Sequence, residues 1–311
     1  MRIVFLGTPD FGIPALKRCV ADGHEVAAVI TQPDRPRGRG HQMMPCPLKE
    51  AALELGLPVL SPEKINTKDF LDELEALCPD IMVTAAYGQI LKKRILTMAP
   101  HGIINIHGSI LPEYRGAAPI QWALIEGKEE TGVTIMQTAR GVDTGDMLLC
   151  LKTPITPEDT AETLFDRLAQ LGAEALSQTL RGIDEGTIVP VPQEEALATH
   201  CRMLEKSDGY LDFSDSARML SCRVRGVTPW PGAQAMLHGK VVKILSVQVL
   251  EESSFAEPGT IVSLDAGIDV AAGKGTLRIT RLQEAGKKPL QAMDYLRGHA
   301  LCVGDRWETC Q

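Results

Sequence analysis

The sequence predicts an α/β protein. A doubly wound, mostly parallel sheet is expected over residues 1–188, a linker over 189–206, and a small antiparallel β-barrel over 207–311. Three observations carry this. Short, wholly apolar runs such as Ile3–Leu6 alternate with helical periodicity through the first half, as for strands buried on both faces between crossover helices. Val189-Pro-Val-Pro192 is stiff and extended, and a polar stretch follows to about Lys206. Beyond it, short alternating runs are broken by Gly-rich turns, the pattern of a small barrel. A length of 311 residues agrees with two domains.

The elements follow in order. After Ile3–Leu6, Thr8 and Pro9 read as the N-cap and first position of a helix. Glu25–Thr31 is a second strand. A helical stretch near Leu48–Leu55 leads to a third strand at Val59–Leu60. Asp80–Ala86 and Gly102–His107 are the fourth and fifth, and Thr134–Gln137 and Met147–Leu151 follow. Thr160–Asp184 is helical, with Leu164, Leu168, Leu171, Ala175 and Leu176 on one stripe. Ser214–Arg225 is expected as a helix capped by Ser214 and stopped at Gly226. The barrel strands would be Gln234–Leu237, Val241–Leu250, Thr260–Leu264, Ile268–Ala272 and Thr276–Leu282, with Ala292–His299 as a closing helix.

Composition narrows the function. Apolar residues make up 44 % and charged residues 23 %, ordinary for a globular protein with an aliphatic core. The net charge is −8 and uneven: from Lys206 onward there are 13 Lys and Arg against 12 Asp and Glu, and before it 19 against 28. The chain as a whole is therefore no basic coat for nucleic acid, and any RNA contact must be local. Eight cysteines are scattered without a Cys-x-x-Cys pair; most sit among apolar residues, which predicts reduced, buried thiols for those and no zinc site. The first apolar run is too short for a signal peptide, and no run approaches a membrane span. A cytoplasmic monomer with no metal and no membrane contact is the expectation.

Four stretches could carry chemistry. Gly7-Thr-Pro-Asp-Phe-Gly12 sits where a dinucleotide phosphate loop would sit but lacks Gly-x-Gly-x-x-Gly, and Asp10 would oppose a phosphate, so NAD is not expected. Asn105 and His107 are two apart at the end of an apolar strand and so project to one face. An amide donor, an imidazole and a carboxylate suffice for acyl transfer to an amine. Asp143-Thr-Gly-Asp146 could supply the carboxylate, or be an ordinary turn. Arg35-Pro-Arg37-Gly-Arg39-Gly40 cannot bury a face and should be mobile, either merely solvated or an arm for phosphates and bases. Lys240, Lys243, Arg278, Arg281, Lys287 and Lys288 read as solvated strand faces.

Taken together, Gly7-Thr-Pro-Asp-Phe-Gly, Thr31-Gln-Pro-Asp-Arg-Pro36, Ala86-Tyr87-Gly88, Asn105-Ile-His107-Gly-Ser109-Ile-Leu-Pro112, Tyr114-Arg-Gly-Ala-Ala-Pro119, Thr131-Gly-Val-Thr-Ile-Met136 and Asp143-Thr-Gly-Asp146 resemble the methionyl-tRNA formyltransferases. Pro229-Trp-Pro231 and Ala285-Gly-Lys-Lys288 extend the resemblance over essentially the whole chain. It implies a Rossmann-like domain followed by an OB-like barrel. It also implies transfer of formyl from the co-substrate 10-formyltetrahydrofolate to the α-amino group of methionine on initiator methionyl-tRNA. By this resemblance Asn105, His107 and Asp143 would be catalytic. Ser109, Ile110, Leu111 and Pro112 would bind folate, with Ile110 where the family usually has Leu. Tyr87, Gly88, Gln89 and Ile90 would lie against the pterin through backbone groups. Arg35, Arg37, Arg39, Lys206, Lys287 and Lys288 would face the tRNA. Alternatives at this point are a formyltransferase for a small amine, such as a nucleotide or amino-sugar, and a non-catalytic RNA-binding protein. The last third opposes the first, and the intact Asn105, His107 and Asp143 oppose the second.

Overall fold

Ile3–Leu6 are fully buried at the centre of a seven-stranded sheet. A computed structural model describes residues 1–37, 42–250 and 255–310, the side chain of Arg37 excepted. The first part of the chain forms β1 (Arg2–Gly7), α1 (Ile13–Ala21), β2 (Glu25–Ile30), β3 (Arg35–Arg37), β4 (Gln42–Met44), α2 (Pro47–Glu54), β5 (Val59–Leu60), α3 (Lys68–Ala76) and β6 (Ile81–Ala85). Then come α4 (Lys93–Leu96), β7 (Ile103–His107), β8 (Arg115–Gly116), α5 (Pro119–Ile125), β9 (Glu130–Gln137), β10 (Met147–Pro154) and α6 (Ala161–Asp184).

The large sheet has the order β10-β9-β7-β6-β1-β2-β5. β5, β2, β1, β6 and β7 are parallel neighbours in turn, and β9 is antiparallel to β7. Strand order reverses between β1 and β6. In open α/β sheets a ligand crevice opens beyond the carboxyl ends of the strands at such a reversal. The doubly wound sheet expected from the apolar runs is therefore present, with its crevice at Gly7–Thr8 and Ala86–Tyr87.

Two expected caps differ. Thr8 is not a helix cap: a 3-10 turn at Asp10–Gly12 precedes α1, and the Thr8 hydroxyl instead donates to the Tyr87 carbonyl at 2.9 Å. The helix near residue 217 is α7 (Ala217–Gly226), and Ser216 caps it by accepting from the Met219 amide, while Ser214 bonds Asp212. The basic segment expected to be mobile is partly ordered, because β3 pairs with β4 as a hairpin. Arg39 and Gly40 lie outside the described residues.

The chain divides into two compact units: Met1–Ala117, Glu130–Thr153 and Phe165–Cys201 form the first, and Ala118–Glu129, Pro154–Leu164 and Arg202–Gln311 the second. This differs from the boundaries read from composition. The expected linker is split, because Val191 bridges Met147 and β11 (His200–Cys201) pairs with β8, so 189–201 is pinned to the first unit. Residues 118–129 and 154–164 join the second unit despite their place in the sequence.

The second unit contains α5 and α7, then β12 (Ala233–Leu237), β13 (Lys240–Leu250), β14 (Ile261–Ser263), β15 (Ile268–Ala271), β16 (Thr276–Glu284), β17 (Leu290–Gln291), α8 (Ala292–Gly298) and β18 (Trp307–Glu308). The sheet order is β14-β15-β16-β13-β12-β18, with β17 beside β16. A bridge between Thr260 and Arg306, and the Ile261 amide donating to the Asp305 carbonyl at 2.8 Å, join the two ends of this sheet into the expected barrel. Alternate residues of β12 and β13 (Ala233, Ala235, Leu237, Val242 and Ile244) point into its core beside Trp307. α5 and α7 share that core, and a Cβ on Gly226 would lie 2.6 Å from Ile125, so this crossing needs glycine.

Arg202 forks the buried Asp208 carboxylate with two bonds of 2.7 Å, and the Glu205 amide donates to it at 2.6 Å. The Arg202 bond holds Asp208 below the usual carboxylate range. The folded protein thus holds this proton less tightly than the unfolded chain. The stabilisation is complete above the ordinary aspartate value of about 4 and is lost as pH falls through the lower folded value. Asp208→Asn should cost about 1–3 kcal/mol at pH 7. Urea unfolding at pH 7 and pH 3 checks this: the gap to the unsubstituted protein should narrow at the lower pH.

Candidate active site

The end of β7 carries Asn105 and His107. Asn105 is paired in register with Thr84 of β6. The Thr84 hydroxyl donates to Asn105 Oδ1 at 2.8 Å, which turns the amide so that Nδ2 is left to donate elsewhere. Thr84 is the one hydroxyl in the apolar run Ile81–Ala85, and it was not singled out from sequence, because its role appears only once β6 and β7 are in register. Thr84→Val, which removes that donor at nearly constant volume, should lower kcat about 3–10-fold by freeing the Asn105 amide. Steady-state kinetics check it; an unchanged kcat would sink the orienting role.

His107 is 5 % exposed. Its Nε2 lies 2.9 Å from the Tyr114 carbonyl. A carbonyl oxygen only accepts, so Nε2 carries a proton and donates it there. Nδ1 is then the nitrogen open to chemistry. It lies 3.5 Å from Asp143 Oδ2, too long for a strong hydrogen bond but within reach of an ion pair or of one shared substrate proton. Asp143 Oδ2 accepts from the Gly116 amide at 2.9 Å. Asp143 sits in the left-handed region, at φ 52, in the connection between β9 and β10. A non-glycine residue held there stores strain that the surroundings must sustain, a pattern common at functional sites. A Cβ on Gly145 would fall 1.7 Å from the Gln137 carbonyl, so the turn closes only with glycine at that position.

Ser109–Pro112 continues from β7. The Ser109 hydroxyl donates to the Glu113 carbonyl at 2.6 Å. Thr134 ties the segment down: its hydroxyl donates to the Ser109 carbonyl at 2.7 Å and accepts from the Leu111 amide at 3.1 Å. Ile110 is half-buried, Leu111 is buried, and the Leu111–Pro112 peptide is cis. Tyr87–Ile90 continues from β6 at the order reversal. The Tyr87 carbonyl accepts from Thr8 and from Gln32, and the Gln89 side chain accepts from the Ile65 amide. The Tyr87 ring is buried, its hydroxyl has no partner among the described residues, and burial pushes its pKa up to about 12. Gly88 is in the left-handed region at φ 90, and Ile90 is 84 % exposed. The chain from Gly88 to Ile90 is therefore a solvent-facing rim held from beneath. The first unit thus brings together Asn105, His107, Asp143 and the two segments expected to hold a folate.

The basic residues that are described belong to both units. Arg35 is exposed and 3.4 Å from Glu63. The side chains of Arg37 and Arg39 lie outside the described residues. Lys206 and Lys288 are exposed in the second unit, and Lys287 is paired with Glu284. Among the described residues, no group of three or more His, Cys, Asp or Glu could hold a metal ion, and no helix is long and apolar enough to cross a membrane.

Comparison with known proteins matches residues 1–180 to the formyl transferase family and residues 203–300 to the formyl transferase C-terminal domain. The chain is 47 % identical to the methionyl-tRNA formyltransferase of Citrifermentans bemidjiense over 98 % of its length and 95 % of that protein. It is 44 % identical to the enzyme of that name from Caldanaerobacter subterraneus subsp. tengcongensis, over 98 % of this chain and 99 % of the relative. Among solved structures it resembles the N-formyltransferase of Helicobacter canadensis in complex with folinic acid and dTDP-3-aminofucose. That match has a TM-score of 0.66 at 15 % identity, over 91 % of this chain and 98 % of that one. It also resembles HypX from Aquifex aeolicus in complex with tetrahydrofolic acid, with a TM-score of 0.62 at 19 % identity, over 95 % of this chain and 47 % of that one. At these identities the solved structures speak to the fold alone.

Proposed function

The chain belongs to the methionyl-tRNA formyltransferases, and from that premise we propose that Asn105, His107 and Asp143 carry formyl from 10-formyltetrahydrofolate to the α-amino group of initiator methionyl-tRNA in the cytoplasm. The observation that supports this most is the His107 Nδ1–Asp143 Oδ2 approach of 3.5 Å beside an Asn105 amide already oriented by Thr84. Asn105 and His107 stand at the carboxyl end of β7, and the carboxylate of Asp143 approaches His107 from the connection between β9 and β10.

The residues fit a folate. Tyr87–Ile90 forms a rim at the order reversal, and the amides of Gly88, Gln89 and Ile90 have no protein partner among the described residues. They suit the alternating donors and acceptors of a pterin edge. Ser109–Pro112, fixed by Thr134, would line the route to the reacting carbon. The co-substrate supplies an activated formyl group.

The chain's own groups do the rest. Asn105 Nδ2 donates to the formyl oxygen as negative charge develops there. One such donor typically lowers the barrier by about 3–4 kcal/mol. His107 Nδ1 lies on the same strand end for a second interaction with the reacting groups. Asp143 accepts the proton lost by the attacking amine and returns it to the folate N10 that leaves. The new bond joins the amine nitrogen to the formyl carbon, and the bond from that carbon to N10 breaks. Protons and charge balance without a covalent enzyme intermediate.

The basic segment around Arg35, Arg37 and Arg39, with Lys206, Lys287 and Lys288 of the second unit, is assigned to the tRNA. Arg39→Ala should raise KM for the charged tRNA about 10-fold, leave KM for the folate unchanged, and reduce the salt slope of tRNA binding by about one. Equal effects on both substrates would contradict this division. The function as a whole is tested by formylation assays with the folate donor. Charged initiator methionyl-tRNA should be formylated, while uncharged tRNA, elongator methionyl-tRNA and a free amino-sugar should not.

A further inference from the structure

Gln193 lies in the first unit, in the stretch that composition reads only as a connector. Its Nε2 donates to two carbonyls of the Asp143 turn, that of Asp143 at 2.8 Å and that of Gly145 at 2.7 Å. Both hydrogens of the amide are thereby used on one turn. Its Oε1 accepts from Arg115 Nε at 3.0 Å. Arg115 is 1 % exposed, and its guanidinium forks the Glu195 carboxylate with bonds of 3.0 and 2.9 Å. Arg115 holds Gln193 oxygen-first, so the amide nitrogen can only face the turn. The amide is thus oriented by its neighbours and does not adapt to them.

The same short segment also fixes the other side of the His107–Asp143 pair. The Thr199 hydroxyl accepts from the Tyr114 amide at 2.8 Å, and the Thr199 carbonyl accepts from the Arg115 amide at 2.9 Å. Tyr114 supplies the carbonyl that holds His107 Nε2, and Gly116 the amide that holds Asp143 Oδ2. A Cβ on Gly116 would lie 2.2 Å from the Cys201 carbonyl, which shows how closely 114–117 is seated on this segment. The segment reaches both groups through the backbone of 114–116 and of the Asp143 turn.

We infer that Gln193 is a positioning residue for the reaction, holding the strained Asp143 turn so that the carboxylate stays beside His107 Nδ1. The inference rests on the proposed role of Asp143. A turn with Asp143 at φ 52 has other conformations available, and two charge-neutral donors to its carbonyls select one of them. Loss of those donors should leave substrate binding intact and misplace the proton acceptor.

The test is a double-mutant cycle on kcat with the full chain, charged initiator tRNA and the folate donor. Gln193→Glu keeps an acceptor for Arg115 and removes both donations to the turn. It should lower kcat about 10–100-fold with KM for each substrate within about 2-fold. In the Asp143→Asn background the same substitution should cost less than about 3-fold, because the group it positions is already gone. Gln193→Met, which has similar volume and no charge, should give the same pattern and carries the test if Gln193→Glu does not fold. An unchanged kcat in a folded Gln193 variant, or a full loss that multiplies with Asp143→Asn, overturns the positioning role while leaving Asp143 in place. A silent Asp143→Asn overturns the catalytic reading itself and the positioning role with it.

Discussion

Replacing His107 by Asn should lower kcat about 10²–10⁴-fold while KM for the folate stays within a few-fold and the protein remains folded. The geometry sets this expectation. Nε2 is committed to the Tyr114 carbonyl, so the ring offers a single nitrogen, Nδ1, to the reaction. An Asn side chain can place an amide near that position, yet it has no ring nitrogen to offer the reacting groups. The site would keep its shape and lose the imidazole nitrogen beside Asp143. Rapid-quench measurement of formyl transfer, with folate binding followed separately, checks it. A kcat near that of the unsubstituted protein would remove His107 from the chemistry. A parallel collapse of folate binding would instead make it a structural support of the crevice.

Gly145→Ala should be the most damaging single-methyl change in the first unit. The added carbon would stand 1.7 Å from the Gln137 carbonyl, a backbone atom that no rotamer change can move. That carbonyl belongs to the last residue of β9, and the Gln137 amide is bonded to the Asp146 carbonyl at 2.8 Å. The turn must therefore open, and with it the Gln193 clamp and the Asp143 carboxylate. An expected loss of about 10²-fold or more in kcat follows, with destabilisation of a few kcal/mol. Kinetics and urea unfolding of the purified variant measure the two effects. Wild-type kcat in this variant would mean that the turn's position is irrelevant to the reaction.

Much of this site is legible in the residues because strand periodicity is simple. Asn105 and His107 stand two apart on an apolar strand, and that alone sets them at one strand end. Asp143 is different. A turn of Asp, Thr and Gly carries no directional signal, and only its resemblance to a family linked it to His107. Thr84 and Gln193 escaped for a further reason. Each acts across a long separation in sequence, Thr84 through the register of β6 on β7 and Gln193 through a connector folded back on the β9–β10 turn. The doubly wound sheet was readable because its central strands are buried on both faces, whereas α5 was not. Ile120, Ala123, Leu124 and Ile125 are all buried, and a short, nearly all-apolar run has no period to distinguish helix from strand. Ser214 and Ser216 are equally good caps by residue type, and the choice between them was made by where the Lys274 backbone meets the helix start.

The pairing of α5 with α7 has a temporal side. The ribosome releases α5 about 100 residues before α7, a delay of about 5–20 s at ordinary elongation rates. Throughout that interval the apolar stripe of Pro119–Ile125 has no lid, although most strands of the first unit can already assemble. The barrel core that will receive it is complete only when Trp307 has emerged. Newly made chains should therefore pass through a long-lived, half-clothed species. Slowing translation between residues 125 and 220, or stalling it there, should expose more of the protein to proteases and holding chaperones than the same delay placed after residue 300.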